Sequence, residues 1–372
     1  MRHADTACRP TDPAPGAAEI GARAARFRVL LLPLLLAALA ACAGPPREVG
    51  TPRAAMGDGE EGWIAFASTT PYDFPQMIDG SAPDAVIQGR LLLPEGTGPV
   101  RGAVILSHGS GGLGLRQRRV ARRLQDAGYA AFAIDHFGPR GVRSTARDQI
   151  RMTAQAMLAD VMAARLLLAS HPRIPAERIG MIGWSKGAIT AVLGAVDRLA
   201  GYAARGGPER LAFAAAFYPF CGFDFTGERL SGPLLMLLGE ADDWTPAAPC
   251  LALAGNLAAA GEPVEAVVFP EAPHGFDAFM PVTVTVDRAI TVRDGSDRCR
   301  LLAGPEGRTE TLDGGHRLDS LEGRQAYLAA CGERGVRFGG NRAARRAAYA
   351  HLFDFLDRAL PMVSSPREGS GG

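Results

Sequence analysis

Lysine is almost missing from this chain: among 40 basic residues there is one, Lys186, and every other is an arginine. A surplus of charge is missing too, because 40 Lys+Arg face 39 Asp+Glu and leave a formal net charge of +1. Without a basic excess nothing holds a phosphate backbone, so no nucleic-acid partner is expected. A membrane-crossing helix needs ~20 apolar residues, and the run at 29–41 (VLLLPLLLAALAA) is too short. No CxxC pair or Cys/His cluster has zinc-ligand spacing, so no metal is expected. Internal repeats are absent as well. What is present is ordinary for a soluble globular protein: 372 residues, 47% apolar and 21% charged, enough for two domains or one large one.

The short apolar run follows Arg23, Arg26 and Arg28 and ends in small residues, the pattern of a secretory signal at 1–41. Its last residues, Leu39-Ala40-Ala41-Cys42, resemble a bacterial lipoprotein signal, in which the cysteine is lipidated. Ordinary cleavage nearby, with Cys42 incidental, is the alternative. Either way the expected location is outside the cytoplasm, in the periplasm, with a lipid anchor to the membrane if Cys42 is modified. Residues 42–62 are rich in Pro, Gly and charge and read as a tether. The tail at 361–372 lacks the apolar residues to fold.

Between these ends, continuous apolar strands are expected at 85–93, 102–107, 130–135, 179–184, 213–218, 234–239 and 264–269. Helical spacing is expected at 115–127, 149–170, 186–199, 246–260 and 342–360. Strands apolar on both faces, with helices between them, imply an α/β fold: a mostly parallel central sheet covered on both sides. Residues 281–340, rich in Gly, Arg and Asp, break the rhythm. They read as an insertion or an extended loop layer within a single domain at 63–360.

Two motifs compete for the chemistry. Gly183-Trp184-Ser185-Lys186-Gly187 is a G-x-S-x-G between a strand and a helix. A serine on that sharp turn projects over the C-terminal sheet edge, near the positive end of a helix dipole. It needs an acid and a base, in the chain order Ser, Asp/Glu, His. After the next-but-one strand comes Glu240-Ala241-Asp242-Asp243-Trp244-Thr245-Pro246, and one strand later Pro273-His274-Gly275. The other histidines precede the serine or fall in a helical pattern or the inserted segment. Backbone N–H groups for an oxyanion are expected from Lys186 and from Ser110, in His108-Gly109-Ser110-Gly111-Gly112. The rival overlaps that loop: Gly109-Ser110-Gly111-Gly112-Leu113-Gly114 is a literal G-x-G-x-x-G, with Asp135 closing the next strand. A dinucleotide-binding oxidoreductase would use it, but would make the ordered Ser, Asp and His a coincidence.

The segments SHGSGG, DHFGPRG, GWSKG, GEADDWTP and PHGF, in this order and spacing, resemble the dienelactone hydrolase family of α/β-hydrolases over about residues 62–360. The resemblance implies the α/β-hydrolase fold, no cofactor, and an ester or lactone as small-molecule substrate. It selects Asp242, the aspartate of G-x-x-D-x-x-x-P, over Asp243. The founding members use a cysteine nucleophile, whereas this chain has Ser185. Trp184 and Trp244 flank the nucleophile and the acid, and with Phe220, Phe223 and Phe225 they point to an apolar pocket or to plain core. Arg140 is a candidate for a substrate carboxylate or for a structural ion pair. A lipoprotein that only binds, with its triad idle, is a further alternative.

Setting aside Cys8 and Cys42, four cysteines remain, and in an oxidising compartment they imply two disulfides. Cys221 lies just beyond the strand at 213–218 and Cys250 near the start of the helix after the Asp242 loop, and the two are expected to pair, with four buried thiols as the alternative. Cys299 and Cys331 would then pair inside the inserted segment.

Overall fold

The computed structural model describes residues 48–204, 207 and 210–361. An eight-stranded sheet has the order β1-β2-β4-β3-β5-β6-β7-β8. Its strands are β1 (Gly62–Thr69), β2 (Asp84–Leu92), β3 (Ala103–Ser107), β4 (Ala130–Asp135), β5 (Ile179–Trp184), β6 (Ala214–Phe217), β7 (Leu234–Gly239) and β8 (Val264–Phe269). β2 runs antiparallel to both neighbours, and every pairing from β4 to β8 is parallel. This is the α/β-hydrolase fold. The central position of β3, β5, β6 and β7 follows from their sequences, since apart from Ser107 at the end of β3 none has a polar side chain, and each is buried throughout.

Helices α1 (Phe74–Ile78), α2 (Leu115–Asp126), α3 (Ala154–Ala169), α4 (Lys186–Ala195), α5 (Asp197–Ala203), α6 (Ala247–Ala259), α7 (Leu321–Cys331) and α8 (Arg342–Ala359) complete the pattern. Leu158, Val161, Val192 and Leu253 of α3, α4 and α6 share one core cluster with Ile105 and Met181. Val120 and Leu124 of α2 and Leu352 and Leu356 of α8 share the other with Val104 and Ile182. Alternate strand residues therefore serve opposite layers, as a pleated strand requires.

Four expectations need correction. β1 lies where a tether was expected to end. Just before it the chain is held to the body: Met56 is buried, its N–H donates to Ser170 Oγ at 2.9 Å, and the Arg53 N–H donates to the Ala65 carbonyl at 2.7 Å. The helix expected at 149–170 begins only at Ala154, because Thr153 caps it by accepting from the Ala156 N–H at 3.0 Å. The helix expected at 186–199 is two, parted at Val196, which is extended and bridges to Leu230.

Residues 281–340 are not loops. They hold the antiparallel pair β9 (Thr283–Val292) and β12 (Gly332–Gly339), the pair β10 (Leu301–Ala303) and β11 (Thr309–Thr311), and α7. This segment belongs to the same compact unit as the sheet. Its apolar residues form a small cluster of their own, with Cys299, Leu301, Leu318, Tyr327 and Cys331 buried. The disulfides join the expected partners, Cys221 with Cys250 and Cys299 with Cys331. The first ties the chain after β6 to α6, and the second closes the inserted segment.

Candidate active site

The chain turns sharply from β5 into α4 at Ser185, whose backbone sits at φ +52° and ψ −115°. That conformation is costly for any residue but glycine, and its neighbours make it possible. A Cβ on Gly183 would collide with the Gly187 carbonyl, and one on Gly187 with the Ser107 carbonyl. The Ser185 N–H donates to the Phe217 carbonyl at 3.0 Å, and its carbonyl accepts from the N–H groups of Ala188 and Ile189. The hydroxyl is thereby held over the C-terminal edge of the sheet.

His274 follows β8 and reaches back: its Nε2 lies 2.9 Å from Ser185 Oγ. On its other side Nδ1 lies 2.8 Å from Asp242 Oδ2, from the loop after β7. A carboxylate can only accept, so Nδ1 carries the proton and Nε2 is left to accept from the serine. Asp242 is fixed in turn. Its Oδ1 accepts from the Trp244 and Thr245 N–H groups at 2.9 and 2.8 Å, and Thr245 Oγ1 donates to Oδ2 at 3.1 Å. The rings of Tyr218 and Trp244 each lie 4.7 Å from the His274 ring, so the imidazole cannot swing away. The inserted segment also holds this loop: the Gly339 N–H donates to the His274 carbonyl at 2.9 Å, and Phe338 bridges to it.

Asp243 has a different task. Its carboxylate accepts from Arg337, from the N–H at 2.8 Å and from Nε at 2.7 Å, which anchors β12 to the loop after β7. Burial alone would raise the Asp243 carboxyl, but the Arg337 hydrogen bonds and charge outweigh it and hold it below the usual range.

Lys186 is the first residue of α4, so its N–H has no carbonyl of that helix to bind. Its ammonium is buried and donates to the carbonyls of Gln149 and Met152 at 2.7 and 2.9 Å. Burial, reinforced by the charge of Arg324, pushes this lysine down to about 7. The loop after β3 comes equally close. A Cβ on Gly109 would lie 2.9 Å from the Trp184 carbonyl and 3.1 Å from Ser185 Cβ. Ser110, next in the chain, faces the same cavity as Ser185, and its carbonyl is held by Ser144 Oγ and the Thr145 N–H, both at 2.9 Å.

Beneath that loop lies a buried polar chain. His108 Nδ1 donates to the Gly109 carbonyl at 2.8 Å while its Nε2 accepts from the His136 N–H at 3.2 Å. Both bonds require a neutral ring, and burial, with His136 beside it, pushes His108 down to about 3. His136 bridges Ser107 Oγ at 3.0 Å and Asp160 at 2.8 Å. These three residues mimic a second Ser-His-Asp relay, but all are fully buried and none can meet a substrate.

Two expected substrate contacts are placed elsewhere. Arg140 grips Asp160 with two nitrogens, at 2.7 and 2.9 Å, and donates also to Thr70 Oγ1 and the Thr69 and His136 carbonyls. Its guanidinium is therefore spent on a structural ion pair. Trp184 stacks on Phe217 with ring centroids 5.5 Å apart and donates from Nε1 to Asp277 at 3.0 Å, within the α2/α8 layer. Phe225 joins the main core. Trp244, Phe220 and Phe223 do line the cavity beside Ser185, which has a volume of about 180 Å³.

The inserted segment supplies much of the remaining wall, including Ile290, Val292, Leu301, Leu318, Arg324 and Tyr327. Arg324 was not singled out in the sequence, because nothing separates it from its many neighbouring arginines. Its Nη2 donates to the Tyr72 carbonyl at 2.9 Å, and its Nε is buried without a hydrogen-bond partner. The Gly109–Gly114 loop packs against Ser185, and Asp135, the carboxylate of the dinucleotide motif, accepts from the N–H groups of Phe137 and Gly138 at 3.2 and 2.8 Å. That carboxylate holds its own loop.

Comparison with known proteins gives one match by family. The profile of the dienelactone hydrolase family fits residues 87–289. No curated protein matches the chain. Among solved structures, an esterase of the planctomycete Thermogutta terrifontis with butyrate bound is 20% identical, over 52% of this chain and 81% of that one, with a TM-score of 0.43. The same esterase phosphonylated by cyclosarin is 21% identical over 52% and 81%, with a TM-score of 0.42. A candidate dienelactone hydrolase from Klebsiella pneumoniae is 22% identical over 58% and 88%, with a TM-score of 0.42.

Proposed function

Because the chain belongs to the dienelactone hydrolase family, whose chemistry is hydrolysis of carboxylic esters and lactones, we propose that it works through a serine acyl-enzyme. The observation that carries this reading is the unbroken line Ser185 Oγ–His274 Nε2–Asp242, at 2.9 and 2.8 Å. As His274 Nε2 takes the Ser185 proton, Oγ attacks the ester carbonyl carbon. The carbonyl oxygen becomes an oxyanion facing the N–H groups of Lys186 and Ser110. Collapse breaks the carbonyl–alkoxy bond, and His274 returns the proton to the departing oxygen. Water repeats the sequence on the acyl-serine and frees the acid. Asp242 holds the ring in register and stabilises the imidazolium. A fluorophosphonate label tests this directly: it should modify Ser185 rapidly in the wild type and not at all in His274→Ala. Equal labelling of both would refute an activated serine.

The cavity of about 180 Å³ limits the acyl group to a small one, since pockets for drug-sized ligands start near ~300 Å³. Arg324 gives a chamber of mixed apolar, hydroxyl and amide lining a cationic wall, whereas the Lys186 ammonium is already bound to the Gln149 and Met152 carbonyls. An ester or lactone that also bears a carboxylate fits that chamber best. Arg324→Leu is expected to raise KM for such a substrate by about tenfold to a hundredfold, the worth of one charged hydrogen bond, and to leave a neutral ester within about twofold. An equal loss on both substrates would remove Arg324 from recognition without touching the role of Ser185.

Export is part of the same proposal. Two disulfides fit an oxidising compartment. Cys42 lies outside the described residues, so its lipidation rests on the sequence alone. Labelled fatty acid should enter the wild type in a bacterium and be lost on Cys42→Ser; an unlabelled wild type would leave a protein without an anchor.

A further inference from the structure

On a different face from the Ser185 cavity, a groove of about 630 Å³ runs between α2, α8 and the chain at 277–280. Large apolar side chains stand out beside it: Leu115 is 70% exposed, Phe279 and Met280 68% each, and Val282 54%. Such a cluster is uncommon on a soluble surface that meets only water. Five guanidiniums line the same groove, those of Arg116, Arg119, Arg123, Arg345 and Arg346. Arg119 and Arg345 lie over the ring of Phe279, at 4.1 and 5.0 Å from its centroid.

The lining contains a single carboxylate, Asp277. It is buried, pairs with Arg116 at 3.1 Å, and accepts from Trp184 Nε1, Tyr218 Oη and Tyr349 Oη. Among the described residues, no carboxylate lies within ion-pair distance of the other four arginines. The chain as a whole is close to neutral, at +1, so this surplus is local.

We propose that this face docks on a bilayer of anionic phospholipid. Phe279, Met280 and Leu115 enter the boundary between headgroups and acyl chains, and the arginines take the phosphates above them. Protruding apolar tips ringed by cations match an interfacial membrane site, and guanidinium binds phosphate through two parallel hydrogen bonds. Nucleic acid would use the arginines but leave the apolar tips in water. A second copy of the chain is the competing occupant, and it is an outcome of the test. One weak contact of this kind holds a protein only reversibly, and a second attachment makes it stable. The proposal does not depend on the acyl-enzyme chemistry.

The test uses the full chain carrying Cys42→Ser, so that no attached lipid reaches the bilayer. It should float with vesicles of phosphatidylglycerol and phosphatidylethanolamine at least about tenfold more tightly than with phosphatidylcholine alone. The double change Arg119→Gln/Arg345→Gln should weaken that binding by about twenty-fivefold, at roughly fivefold for each charge at an anionic surface. Phe279→Ser/Met280→Ser should weaken it by about tenfold or more. Both variants should hydrolyse a soluble ester at the wild-type rate, which shows that they fold; if one pair fails that control, the other decides. Equal binding to both kinds of vesicle, no binding, or unchanged binding by a folded variant would overturn the proposal. So would a concentration-dependent dimer that Phe279→Ser abolishes in the absence of vesicle binding.

Discussion

Ser185→Ala is expected to lower kcat on a short p-nitrophenyl ester by about a millionfold, with the fold and the thermal midpoint little changed. The loss is large because nucleophile and base act as one unit: without Oγ, His274 has no proton to take and only binding and the oxyanion donors remain. Stability should survive because alanine keeps the Cβ and removes only the hydroxyl. The tight turn is enforced by Gly183 and Gly187, not by the serine. The Ser185 N–H to Phe217 bond is also untouched. A purified variant with near-wild-type turnover would transfer the nucleophile's role elsewhere.

Asp242→Asn should cost about ten-thousandfold in kcat, whereas Asp243→Asn should cost only a few-fold. The two aspartates are adjacent in sequence, and the structure separates them by partner. An asparagine at 242 would offer its amide N–H to His274 Nδ1, forcing the ring into the tautomer that cannot accept the Ser185 proton. At 243 the same change weakens the Arg337 contact, which serves β12. Kinetics on the two purified variants decides it, and the reverse ranking would assign the acid to Asp243.

Much of this was legible from sequence where local pattern and burial agree. The strands at 179–184, 234–239 and 264–269 end where they were expected to, because the first two are apolar runs, the third is interrupted only by Glu265, and a polar turn closes each. Ser185, Asp242 and His274 sit at those ends, so chain order alone brought them to one sheet edge. Trp184 shows a signal that was present and unread. Strand alternation puts it on the face of Ile182, away from the cavity. Arg140 and Arg324 could not be ranked, because which arginine meets Asp160 and which meets the cavity depends on contacts far apart in the chain. The inserted segment was hidden for a related reason. Its ladders form within the segment, β9 with β12 and β10 with β11, and it joins the body through contacts far apart in the chain, such as the Leu301 bridge to Phe223, the Phe338 bridge to His274 and Arg337 with Asp243.

The acyl-enzyme itself can be weighed. Wild-type protein mixed with a small activated ester and quenched in acid within milliseconds should carry the acyl mass on the peptide containing Ser185, and Ser185→Ala should carry none. An active wild type that never shows that mass, or shows it on another residue, would contradict nucleophilic catalysis by Ser185.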